Sequence, residues 1–366
     1  MTVYEKMGLK RVVNSAGRLT ALGVSTPVDE VVDAMTQAAQ NYVVIDDLLD
    51  KCGELIASYT HAEAACVASS TSAAICLSCA GLMTGTDSYL IAKLPDTTGL
   101  KNEFILQGGH NIHFGTCFEQ LIRTAGGKPV VAGSANLVHD YDIEGCITDK
   151  TAAIIYVKSH HCVQHGMVSL EDTIAIAHKH NLPVLMDASA EEDLFKYYAA
   201  GVDLVCYSGA KAICGPTSGF VIGKKKYIEA VRKQYMGFGR VMKIGKENAV
   251  GLTKAVELYV TEDKTAYKEN CKKEAEYLLN ELKDCKGIKA SMHKDEAGRD
   301  IVRVNIEVTK DCKYTVKELL EKLRNGNPSI QPRAHELANN SFMFDFRPLI
   351  KGDVELIANA MKEILK

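Results

Sequence analysis

The stretch DLVCYSGAKAICGPTSG, residues 203–219, decides how the rest of the chain is read. Leu204, Val205, Cys206 and Tyr207 form an apolar run of strand length. A Ser-Gly-Ala-Lys turn and a loop rich in glycine, proline and serine follow it. Lys211 ends the turn after the apolar run, with small residues on both sides. A lysine so placed is withdrawn from water, and desolvation favours its neutral amine. Upstream, LPVLMD over residues 182–187 is a second strand-like run, and it ends in Asp187. The two residues lie 24 positions apart, room for a helix and a strand between them. A neutral amine can form a Schiff base with an aldehyde, and an acid at the neighbouring strand end can keep a pyridine nitrogen protonated. That is the pair pyridoxal phosphate requires. A strand-edge salt bridge beside an ordinary turn is the plain alternative, and the two residues alone leave both open.

Composition narrows the class. The chain has 366 residues, a net charge of −3 and 46% hydrophobic residues. That is a globular composition, long enough for one large domain and a smaller one. No apolar run reaches the roughly 18 residues of a membrane span. Residues 1–17, MTVYEKMGLKRVVNSAG, hold no apolar core of signal-peptide length. A cytoplasmic protein with no membrane partner is expected. The 12 cysteines are scattered singly in apolar contexts, as at Cys66, Cys206 and Cys214, which suits buried thiols in a reducing compartment. The near-balanced charge offers no footprint for nucleic acid. Basic residues gather only locally, at 223–226 (GKKK) and 240–246 (RVMKIGK).

Residues 1–27 read as an irregular arm with a short strand in RVVNSAG. Pro27 opens a helix over 28–40, with Asp29 and Glu30 in its first turn. A second helix covers 47–60. In AEAACVASSTSAAICLSCAG, residues 62–81, a strand at 64–68 meets Ser69, Ser70, Thr71 and Ser72, and an alanine-rich helix follows. Unpaired N–H groups and a partial positive charge at such a helix start suit a phosphate; an ordinary hydroxyl cap is the alternative. Cys76 and Cys79 form a CxxC inside this helix and read as core, since no basic neighbour activates them. A strand at 104–106 runs into Gln107-Gly108-Gly109-His110. His110 there can lie flat on a cofactor or simply bond within its loop.

A helix at 114–125 and strands at 129–132 and 152–157 come next. The last strand leads into KSHHCVQH, residues 158–165. His161 and His165 have ligand spacing, but no second cluster completes a tetrahedral set, so no metal is expected. His160 fits a substrate-facing residue better. Ser169 caps a helix over 170–180. From 60 to 225 strands and helices alternate, which argues for a mostly parallel sheet covered on both faces. Such sheets bind ligands beyond the carboxyl ends of their strands. Residues 70–72, His110, His160, Asp187 and Lys211 all fall just past expected strand ends.

After 225 the character changes. Helix dominates 246–286, then strands are expected at 288–292 and 301–308 around a turn at 294–299. A helix at 314–323, strands at 330–333 and 341–345, and a closing helix at 353–365 complete the chain. The expected division is an arm and large domain over 1–245 and a small α+β domain over 246–366.

These motifs resemble fold-type I pyridoxal-phosphate enzymes of the selenocysteine synthase-like family. The resemblance runs nearly end to end. It is carried by RVVNSAG (11–17), THAEAACVASSTSAA (60–74), EFILQGG (103–109), VSLEDTIAIAHKHNLPVLMDAS (168–189), CYSGAKAICGPTSG (206–219) and FMFDFRPL (342–349). Within the family the chain is similar to ammonia-lyases acting on a phosphorylated amino-sugar acid, D-glucosaminate 6-phosphate. The resemblance implies an α/β, aspartate aminotransferase-like large domain and a small C-terminal α+β domain. It implies pyridoxal 5'-phosphate as cofactor, Lys211 as the Schiff-base lysine and Asp187 as the pyridinium partner. It also implies Ser70, Thr71, Ser72 and Ser208 around the phosphate, and His110 on the ring. The implied reaction is elimination of water followed by deamination, in a homodimer or higher homo-oligomer.

For the substrate, Arg347 is the candidate for the carboxylate, because a guanidinium fork matches it bidentately. Arg240 and Lys243 are candidates for the substrate phosphate. A salt bridge within the small domain and a solvated basic turn are the respective alternatives. The sequence departs from the selenocysteine synthases in three places. It begins almost at the arm, so their N-terminal tRNA domain is not expected. It reads Ala21-Leu22-Gly23-Val24 where they have Asn-Leu-Gly-Arg, and Arg240-Val241-Met242-Lys243 where they have Arg-x-x-Arg. Selenium transfer to seryl-tRNA is therefore the alternative, together with another pyridoxal-phosphate lyase, aldolase or aminotransferase reaction and a non-enzymatic regulatory module.

Overall fold

The computed structural model describes residues 2–294, 301–334 and 339–366. Its strands are, in chain order, β1 (Val12–Ser15), β2 (Ala64–Ala68), β3 (Glu103–Gln107), β4 (Lys128–Ala132), β5 (Thr151–Val157), β6 (Val184–Asp187), β7 (Leu204–Ser208), β8 (Gly219–Gly223), β9 (Ile288–Lys294), β10 (Val302–Val308), β11 (Ser329–Pro332) and β12 (Ser341–Asp345). The chain forms two compact units. One is Pro27–Thr261; the other combines Met1–Thr26 with Glu262–Lys366.

The large unit is built on a seven-stranded sheet in the order β2-β8-β7-β6-β5-β3-β4. β8 runs antiparallel to both neighbours, and the other pairings are parallel. The strands are apolar on both faces because both are covered. Ile105, Ile154, Met186, Val205 and Phe220 enter one core layer. Their chain neighbours Leu106, Ile155, Leu185, Cys206 and Val221 enter the other. The helix Thr71–Thr84 fills that second layer and is buried on nearly every side, as its uniformly small and apolar sequence allows. Cys76 and Cys79 lie in it as core thiols that burial pushes up, Cys76 to about 12.

The helix Lys246–Thr261 corrects the expected boundary at 245. Ala249, Leu252, Ala255 and Val256 on it pack in the same layer as Cys52 and Ile56 of the helix Ile45–Thr60. It therefore belongs to the large unit, and a separate helix, Thr265–Leu282, opens the second stretch of the small one. The helix expected at 114–125 is only Phe118–Thr124. Gly115 ahead of it takes φ +111°, and Phe114 N–H turns back to the Thr116 carbonyl at 3.0 Å, a turn that excludes helix there. β8 and the helix Lys225–Lys233 were not expected as elements.

In the small unit β12-β10-β9 form an antiparallel sheet. The arm is not a loose extension of the large domain. Its β1 pairs in parallel with β11, and Arg11 bonds Asp353 at 2.7 Å. Val13 thereby joins Val304, Leu319, Ile330, Phe344 and Ile357 in one core. The turn expected at 294–299 lies, from 295 on, outside the described residues. Among the described residues no helix is long and apolar enough to cross a membrane.

Candidate active site

Because β2, β3, β5, β6 and β7 point the same way, their carboxyl ends share one edge of the sheet. β7 and β6 are neighbours, so the residues after them meet. Asp187 closes β6 in register with Val157 of β5 and Cys206 of β7. It is 5% exposed. Its Oδ1 accepts the Ser189 N–H at 2.9 Å. Burial pushes this carboxyl above the usual range, while the Ser189 hydrogen bond and the Lys211 charge pull it back.

Lys211 sits on the turn after β7. Burial lowers its amine below the ordinary lysine value, and Asp187 opposes this. Its Nζ donates to Ser189 Oγ at 3.4 Å. The turn is locked from below. Lys211 N–H donates to Ser208 Oγ at 3.3 Å, Gly209 N–H to the Ser218 carbonyl at 3.0 Å, and Gly215 N–H to the Gly209 carbonyl at 2.8 Å. Ser189 was missed in the sequence. Its signal was there, a hydroxyl two positions past the acid that ends a buried strand.

Ser70 caps the helix Thr71–Thr84 by accepting Ala73 N–H at 3.0 Å. So the ordinary capping reading holds for this hydroxyl. The first intrahelical bond is Ala74 N–H to the Ser70 carbonyl, so the Thr71 and Ser72 N–H groups come before it and face outward along the axis. Gly219 brings this helix start to the lysine turn. It pairs with Ala68 of β2 on one side and Ser208 of β7 on the other. A Cβ on it would stand 2.4 Å from the Ser70 carbonyl carbon.

The remaining candidates fare differently. His110 is 3% exposed; its Nδ1 accepts Val157 N–H at 3.4 Å and its ring meets Tyr156 edge-on at 4.6 Å. Burial, aided by Lys158, lowers it to about 4, so the ring is neutral. His160 is exposed, its ring 3.9 Å from that of His161. Arg240 and Lys243 are exposed, at and just past the short helix Phe238–Met242. Among the described residues no side-chain bond ties Arg240 or Lys243 to the Lys211 group.

Arg347 lies in the small unit and forms the salt bridge that was its alternative reading. Its Nε and Nη2 hold Asp345 at 3.0 and 2.8 Å, and Arg303 Nε holds the same carboxylate at 3.0 Å. Burial alone would raise Asp345. The hydrogen bonds and charge of Arg347, then of Arg303, outweigh it and hold the carboxyl down at about 2.

The residues present suit pyridoxal phosphate. Lys211 offers an amine of lowered basicity, and Asp187 a buried carboxylate one strand away. The hydroxyl-rich helix start and Ser208 meet across a glycine that leaves no room for a side chain. Fold and site together define an aspartate aminotransferase-like protein. An alanine–glyoxylate aminotransferase from Nostoc sp. has this fold at TM-score 0.59 and 16% identity, over 100% of both chains. More narrowly, the chain belongs to the SelA family: the family model for L-seryl-tRNA selenium transferase matches residues 12–349. Among relatives, it is 40% identical to a D-glucosaminate-6-phosphate ammonia lyase of Salmonella typhimurium, over 99% of this chain and 97% of that one. It is 34% identical to a 5'-C-glycyluridine monooxygenase-decarboxylase of Streptomyces sp., over 99% and 92%. A solved D-glucosaminate-6-phosphate ammonia-lyase superposes with TM-score 0.94 at 40% identity, covering 100% of this chain and 98% of the other.

Proposed function

We propose that this protein is a pyridoxal-phosphate-dependent ammonia-lyase that converts D-glucosaminate 6-phosphate to 2-keto-3-deoxygluconate 6-phosphate and ammonia. The observation that carries the reading is end-to-end similarity at 40% identity to a lyase of that name. Lys211 would hold the cofactor's aldehyde, Asp187 its ring nitrogen, and residues 70–72 with Ser208 its phosphate. When bound, the cofactor supplies an electron sink that makes the substrate's C2 proton labile.

The chain's own residues do the rest. Burial shifts Lys211 towards its neutral amine, and a neutral amine can take the C2 proton as general base. Asp187 lacks water to stabilise its charge, so a cationic ring N–H against it supplies the missing partner. In the net balance the C3 hydroxyl leaves as water, one water returns, and ammonia is released. Arg347 would present a guanidinium to the substrate carboxylate, and His160, Arg240 and Lys243 polar or cationic groups to its sugar hydroxyls and 6-phosphate.

A homodimer or higher homo-oligomer is part of the proposal. The run Tyr42, Val43, Val44 and Ile45 is exposed, and consecutive exposed apolar residues favour a partner surface. A cytoplasmic location accords with 12 cysteines that are all free thiols. The test is release of ammonia and keto acid from D-glucosaminate 6-phosphate beside D-glucosaminate. The phosphorylated substrate is expected to lead in kcat/KM by at least about a hundredfold. Equal turnover of the two, or none of either, would overturn the assignment.

A further inference from the structure

We infer that Ser189 is a positioning residue for the Lys211 amine, its hydroxyl being the seat of that amine whenever the amine is not bonded to the cofactor. The inference rests on the reading above and concerns a residue that it leaves without a role. Ser189 touches both members of the central pair with opposite ends. Its N–H donates to Asp187 Oδ1 at 2.9 Å, and its Oγ receives Lys211 Nζ at 3.4 Å. It is half-buried, at the sheet edge where β6 ends.

The turn that carries it is held from several sides. Ala188 N–H bonds the Cys206 carbonyl of β7 at 2.9 Å, and Glu191 N–H bonds the Ala188 carbonyl at 3.0 Å. Three phenols then fix the next residues. Tyr207 of β7 donates to the Asp193 carbonyl at 3.0 Å. Tyr259 of the helix Lys246–Thr261 donates to the Glu192 carbonyl at 2.6 Å, and Tyr197 donates to the Glu191 carboxylate. A hydroxyl on a turn clamped from three elements is a fixed point.

The lysine is the opposite case. Its amine ends a chain of four rotatable bonds, and an untethered amine samples many positions. A general base must stand within hydrogen-bond reach of the proton it takes, and a displacement of about 1 Å can lower a rate a hundredfold. The Ser189 hydroxyl limits that wandering. It accepts an amine N–H, and by rotating it can donate to the neutral nitrogen's lone pair. It keeps its own proton throughout; the C2 proton goes to Lys211.

The test compares wild type, Ser189→Ala and Ser189→Thr. The first readout is the rate at which apoprotein attaches pyridoxal phosphate, followed by visible absorbance. The second is kcat and KM on D-glucosaminate 6-phosphate. Ser189→Ala is expected to reach full cofactor stoichiometry but to attach it about tenfold more slowly and to lose about tenfold in kcat, the worth of one hydrogen bond, with KM little changed. Ser189→Thr, which restores the hydroxyl, is expected to recover most of both. A merely structural serine would lower thermal stability and leave the attachment rate and kcat per folded molecule alone. Ser189→Cys, similar in size but a weaker acceptor, serves the same comparison if the alanine variant does not fold. Attachment and kcat at wild-type values in Ser189→Ala, or no recovery with threonine, overturn the inference. Wild type that attaches no cofactor at Lys211 overturns the functional reading, and this inference with it.

Discussion

Gly219 and Thr71 meet backbone to backbone: a Cβ on the glycine would stand 2.4 Å from the Thr71 nitrogen. That nitrogen belongs to the helix start proposed to hold the cofactor's phosphate. Neither side can give way cheaply, since Gly219 is paired on both edges and Ser70 is fixed as a cap. Gly219→Ala is expected to push the helix start aside and weaken pyridoxal-phosphate affinity by about tenfold or more. A spectrophotometric titration of apoprotein measures it, and unchanged affinity would remove the phosphate assignment.

Lys211→Ala removes the amine that would both tether the aldehyde and take the proton. Turnover is expected to fall by at least about a thousandfold. Borohydride reduction followed by peptide mapping should tag Lys211 in wild type and nothing in the variant. A tag elsewhere, or an active variant, would contradict the assignment.

Asp187→Asn separates stability from activity. Burial raises the Asp187 carboxyl above its ordinary value of 3.8 in the apoprotein. Between that value and the raised one the folded chain holds more protons than the unfolded chain. Stability therefore falls as pH rises through this window. Asparagine has no charge to bury and can still accept the Ser189 N–H. The apo variant is expected to melt higher than wild type at neutral pH, by roughly 2 °C or more, with the gap closing in acid below the window. With cofactor and substrate, the same variant should lose about a hundredfold in kcat. Thermal melts at two pH values and one kinetic assay decide it.

The Arg303–Asp345–Arg347 group gives the reverse sign. Its carboxyl is held at about 2 against 3.8 unfolded, so its contribution is complete above 3.8 and is lost as pH falls through 2. Asp345→Asn removes the buried anion that Arg303 and Arg347 share and is expected to cost about 3–5 kcal/mol in denaturant unfolding. Arg347→Lys tests the substrate role. If Arg347 meets the substrate carboxylate, KM rises about tenfold while the fold persists; if it serves the salt bridge alone, KM stays and only stability drops.

Much of the site was legible because a doubly buried parallel strand is a continuous apolar run, and its last residue is where polarity returns. Asp187 and the Ser-Gly-Ala-Lys turn announce themselves this way. β8 did not, because Gly219–Gly223 has glycine at both ends and reads as the tail of a loop; only its pairing between β2 and β7 makes it a strand. The boundary at 245 failed for a related reason. The amphipathic pattern of Lys246–Thr261 says that it buries a face, not which core receives it. Arg347 shows a third limit. A cation two residues past a buried acid reads equally well as a ligand's partner or as the acid's own, and only the distances to Asp345 reveal that one edge of its guanidinium is already engaged.

The pairing of β1 with β11 has a consequence for how the chain is made. Pro27–Thr261 is continuous in sequence, so that unit can acquire its core while synthesis is still under way. The first strand, although it leaves the ribosome earliest, must wait for Ser329–Pro332 before its backbone finds a mate. During that delay its unpaired edge is open to chaperones or to a wrong partner.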